Sequence, residues 1–180
     1  MAFYDEPRAD SKSEEAEAMN EKEFAALLHR VGACEEARMW AKGKSLEQVW
    51  RTCKRGDWML WLVGRMSDRD GWPTRQAVVL AACDCAATVL QYVPRNEERP
   101  ANAIKVARSW AVGKASLDEV RDAANAAYAA AYAAYAAAYA ANADAYAANA
   151  DEGKTLKKCA NLIRKSIPVP YTKVKRTMEA

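Results

Sequence analysis

The chain has 180 residues, enough for one domain with a core, and its net charge of +3 is too small to argue for nucleic acid by itself. Hydrophobic residues make up 51%, but much of this is alanine, so a core must draw on the 6 Trp, the 8 Tyr and the Leu, Val and Ile positions. Few β-branched runs occur, which disfavours strands.

Residues 1–19 are charged and polar, and they read as an acidic, disordered tail. They contain no apolar stretch of the kind a signal peptide requires. Asn20 then offers an N-cap, with Glu23 placed to close a capping box. A first helix follows with an apolar stripe at Phe24, Leu27, Leu28 and Val31, ended near Gly32. A second helix is expected over Cys34 to Lys42, stopped by Gly43 in a left-handed conformation. Ser45 and Gln48 form the next capping box, before the inner face Leu46, Val49, Trp50 and Cys53. Gly56 is expected to stop that helix and Asp57 to cap another, carrying Trp58 and Trp61 on one face. After Gly71 and Pro73, a helix from about Thr74 to Tyr92 is apolar nearly all round and therefore central. Pro100 starts a helix through Ile104, Ala107 and Trp110, and Gly113 ends it.

Ser116 with Glu119 makes a further capping box, and no breaker follows until Gly153. One helix from about Leu117 to Glu152 would be on the order of 50 Å long. A last helix then spans about Lys154 to Ser166, before a basic tail from 168 to 180. The segment Ala33 to Lys44 is echoed by Ala103 to Lys114, each followed by a capping serine, which suggests two related helical hairpins around one core. The expected fold is all-α: a single domain over 20–167, a multi-helix bundle around one long Ala/Tyr-rich helix with repeat-like hairpin pieces.

On that helix Tyr128, Tyr132, Tyr135, Tyr139 and Tyr146 are spaced 4, 3, 4 and 7, a heptad stripe that Arg121 joins at its start. The stripe reads as core with hydroxyls reaching the surface, as a protein-contact or self-association surface, or as a groove whose rings stack on a nucleobase while Arg121 meets a phosphate. Trp58 and Trp61 read as core anchors or interface anchors. The C-terminal basic segment, with Lys157, Lys158, Arg164 and Lys165, is either a solvated surface or a patch for an acidic partner.

Catalytic signatures are absent from the sequence. There is no G-x-S-x-G, no phosphate-binding loop, and a single histidine, His29. The 5 cysteines include no C-x-x-C pair, so no metal site and no cofactor is expected. They read as reduced thiols in a cytoplasmic protein. The uncharged Ala/Tyr run is too short for a membrane span.

Several segments resemble the alanine-rich immunity proteins of bacteria and their phages. These are Cys34-Glu35-Glu36-Ala37 with Trp40, Asp57 to Leu62, Arg99-Pro100, the Ala/Tyr run, and Ala160 to Arg164 with Ile167-Pro168. The acidic N-terminal tail departs from that pattern. The resemblance implies a non-enzymatic inhibitor of a toxin or defence effector that acts by direct contact in the cytoplasm of a bacterial cell, encoded by the host or by a phage. The alternative is a phage anti-defence protein that blocks a nuclease effector such as CRISPR or sequesters a signalling nucleotide. A protein partner is expected under the first reading, with a homo-oligomer or a nucleotide ligand as the other options.

Overall fold

The computed structural model describes residues 17–93, 95–126 and 146–173. Residues 127–145, the middle of the expected long helix, lie outside them, as do most of the expected acidic tail and the end of the basic one.

Among the described residues the architecture is all-α, with a single two-residue β pair. Helix α1 (Glu21–Arg30) opens on the Asn20/Glu23 capping box and buries Phe24, Leu27 and Leu28. Gly32 then turns the chain at φ +77. Helix α2 (Glu35–Ala41) is followed by Gly43 at φ +71, and α3 (Leu46–Thr52) opens on the Ser45/Gln48 capping box. Helix α4 (Gly56–Met66) buries Met59, Leu62, Val63 and Met66. Helix α5 (Arg75–Ala87) is capped by the Thr74 hydroxyl, and α6 (Arg99–Ala111) has proline in its first turn. Residues 117–126 form the described part of α7, and α8 runs over Tyr146–Ser166. The echoed segments build the same device twice: a helix end, a left-handed glycine (Gly43 or Gly113, φ +73), then a serine-capped helix.

Helix α5 is central, as its all-round apolar sequence predicts: it touches α4, α6 and α8. It is shorter than expected. The Thr88 hydroxyl donates to the Cys85 carbonyl at 2.7 Å, and the chain leaves the α-helix for a single 3-10 turn at Leu90–Tyr92. Such back-bonding competes with the regular ladder and favours a helix end. Helix α6 is pinned to α5 by an ion pair between Arg108 and Asp84 at 2.6 Å.

Two glycines behave differently from expectation. Gly56 begins α4 instead of stopping the helix before it, and Arg55 occupies the N-cap position. Asp57 does not cap: its carboxylate accepts from Arg55 Nε at 2.9 Å and Nη2 at 2.7 Å. The reason is the crossing of α4 with α8. A Cβ on Gly56 would lie 2.6 Å from Cys159 Cβ, 2.8 Å from Ala160 N and 2.9 Å from Leu156 O. Gly153, in contrast, does not break the chain; α8 passes through it. The cost of a helical glycine, about 1 kcal/mol, is outweighed by what the same helix buries further on. Ala160 and Ile163 are fully buried, and Ile167, just past the helix end, nearly so.

The ends of the described chain also pack. Glu17–Ala18 (β1) pairs antiparallel with Thr172–Lys173 (β2), and Met19 is buried. Pro170 is buried as well, while Val169 and Tyr171 lie against the core. Tyr171 adopts φ +63, donates its N–H to the Gly71 carbonyl, and sets its ring 6.2 Å from that of Trp72.

Gly56→Ala should destabilise the fold by about 2 kcal/mol, because the new methyl meets backbone that cannot yield. A lower urea midpoint with an unchanged slope would show it. A midpoint equal to the wild type would refute the close crossing of α4 and α8.

Candidate functional site

Helices α1 to α4 surround a cavity of about 400 Å³. Its wall is mostly aromatic and aliphatic, with Trp40, Trp50, Trp58 and Trp61 contributing beside Leu28 and Leu62. Trp40 and Trp58 pack with ring centroids 6.1 Å apart and planes tilted by 57°. Trp61 is 39% exposed. Trp50 is only 2% exposed, and its indole Nε1 has no hydrogen-bond partner.

Charge at the cavity is already balanced. The Arg55 guanidinium lies 4.3 Å from the Trp58 ring centre and pairs with Asp57 at 2.7 Å and Glu36 at 3.3 Å. The hydrogen bonds from Arg55 hold the Asp57 carboxyl below its ordinary range. The Lys44 ammonium lies 4.7 Å from the Trp40 ring centre and donates to the Trp40 carbonyl. Both cations sit on aromatic faces, where the ring quadrupole attracts them.

The residues singled out in the sequence fall into separate places. Trp58 and Trp61 both line the cavity. Lys157, Lys158 and Lys165 are exposed on α8. Lys158 and Lys165 share a shallow depression with Arg108 and Asp84. Arg164 is engaged internally. Its Nε donates to the Trp50 carbonyl at 2.6 Å, Nη2 donates to the Cys53 carbonyl, and Nη1 donates to Asn161 Oδ1 at 3.0 Å. It thereby serves the carbonyls that the C-terminal end of α3 leaves without helical partners. Arg121 is exposed and pairs with Asp118 at 2.7 Å. Tyr128, Tyr132, Tyr135 and Tyr139 lie outside the described residues, and of Tyr146 only the backbone, at the start of α8, is described.

The sequence puts Trp50 on an inner helix face and does not place Trp40 or Trp50 with Trp58 and Trp61. A signal was present: four of the 6 tryptophans fall between positions 40 and 61. Among the described residues no group of His, Cys, Asp and Glu could hold a metal ion. No helix among them is long and apolar enough to cross a membrane. Between α5 and α8, the buried Cys85 thiol donates to the Cys159 carbonyl at 3.7 Å. Burial, then the neighbouring Cys159, push its pKa up to about 12.

Arg164→Ala should cost about 2 to 3 kcal/mol, since two carbonyls lose a charged donor. Arg164→Lys should recover only part of this, because an ammonium cannot span the same fork. Urea unfolding of both variants checks it; full recovery by lysine would show that charge alone matters. The Cys85 thiol carries a pH dependence of the same kind of test. Unfolded, it ionises near 9.0, but in the fold only near 12. Its contribution to stability is complete below pH 9 and falls as pH rises through that window. Wild type should therefore lose more stability from pH 9 to pH 11 than Cys85→Ala does, measured by denaturant midpoints.

Residues 73–155 match a family model described as an Imm-5 like putative immunity protein. No curated protein and no solved structure matches the chain. Of the segments that carry the resemblance, Arg99-Pro100 and the Ala/Tyr run fall inside the matched stretch, whereas Trp58 to Leu62 and Ala160 to Arg164 fall outside it. From the turn before α5 to the early turns of α8, then, the chain is similar to an immunity-protein family.

Proposed function

We propose that the chain is an immunity-type inhibitor that neutralises a toxic effector by binding it, without chemistry of its own. The observation that carries this reading is the family match over residues 73–155. The described surface supplies a plausible means of contact. Lys157, Lys158 and Lys165 are exposed on α8, and Lys158 and Lys165 lie beside the Arg108–Asp84 pair. Clustered like charges of this kind steer an oppositely charged partner and speed its capture, more strongly at low salt. The proposed partner is accordingly an effector with an acidic face.

The test is growth rescue. Expressed beside a toxic effector that the purified chain captures from host lysate, the chain should restore colony counts to those of cells carrying an inactive effector. The purified pair should elute as one complex. Reversing the three lysines to glutamate should slow association about tenfold or more at low salt, and the difference should shrink as salt rises. Rescue by a chain that never forms the complex would overturn inhibition by contact.

A further inference from the structure

We infer that the tryptophan-lined cavity between α1 and α4 is a binding site for an uncharged, flat, mainly apolar small molecule bearing one hydrogen-bond acceptor. The inference is independent of the inhibitor reading, because every residue of the wall precedes the stretch that matches the immunity family.

Size is the first argument. About 400 Å³ lies within the range of small-molecule sites, which are concave and mostly apolar with few polar groups. Ring chemistry is the second: Trp40, Trp50, Trp58 and Trp61 offer indole faces and edges that suit a planar guest. Charge is the third. Asp57 is the one charged residue of the wall, and its carboxylate is already paired with Arg55, so the wall offers a charged guest no unpaired counter-charge. A neutral guest leaves that pair intact.

The fourth argument is the Trp50 indole N–H. A buried donor left unbonded costs about 1 to 3 kcal/mol, and native proteins rarely leave one idle. Trp50 is on the cavity wall, and its Nε1 is closed to bulk water. An acceptor therefore reaches it only when the neighbouring rings shift to admit one. Trp61, on the exposed rim, has the freedom to do so.

Prodan, an uncharged naphthyl ketone with one strong acceptor, is a suitable probe for the full chain. It should bind saturably, one molecule per chain, with blue-shifted emission. In NMR spectra the Trp50 indole N–H signal should move while that of Trp110, on α6, stays. Trp50→Phe keeps an aromatic wall and removes the donor, so binding should weaken about tenfold. Trp61→Ala, at an exposed rim position, should also weaken binding while leaving circular dichroism unchanged. An anionic naphthalene sulfonate should bind at least tenfold more weakly than prodan. If Trp50→Phe does not fold, the wild-type indole signal and Trp61→Ala decide. Non-saturable binding, an unmoved Trp50 signal, or tighter binding of the anion would overturn the inference. So would a cavity that takes no probe and responds only when a protein effector is added, which would assign it to a partner's side chain. Growth rescue that persists when the probe fails to bind, or probe binding that persists when rescue fails, separates failure here from failure of the inhibitor reading.

Discussion

The structure depends on how closely α8 can approach α4. At Gly56 the two helices come within a distance that no side chain tolerates, since even a methyl would overlap both the backbone and Cys159. Helix–helix packing at this separation gains many small dispersion contacts and excludes water from both faces. The buried row on α8, Cys159, Ala160 and Ile163, with Ile167 just beyond its end, meets the α4 side chains Met59, Val63 and Met66 in one core. Helix α5 fills the other side, so three helices share a single interior.

Arg164 extends that arrangement to the helices around the cavity. By donating to the carbonyls of Trp50 and Cys53 it fixes the end of α3 to α8, across more than a hundred residues of sequence. Trp50 and Cys53 also form part of the cavity wall. The pocket is therefore held in shape from behind by a helix that does not line it.

What could be read in the sequence was local. The capping boxes at Asn20, Ser45 and Ser116, the left-handed glycine at 43 and the helix ends at Gly32 and Gly113 occur where expected, because each depends on a few neighbouring residues. The apolar stripes of α1 and α3 were equally legible, as was the central place of α5. Gly56 was misjudged because its role is set by α8, far along the chain. Gly153 was misjudged because tertiary burial overrode its low helix propensity. Arg164 looked like surface charge, and nothing near it in sequence signals the two carbonyls it serves. The four tryptophans of the cavity share no single helix face, so periodicity could not assemble them.

The β pair gives the molecule one further property. Glu17 faces Lys173 and Ala18 faces Thr172, so two points of the chain more than 150 residues apart in sequence lie side by side at one corner of the fold, near the contact of Tyr171 with Trp72. A short peptide could also bridge the two strands. New chain ends could then be opened in the connector between Leu90–Tyr92 and α6, leaving the helical core uncut.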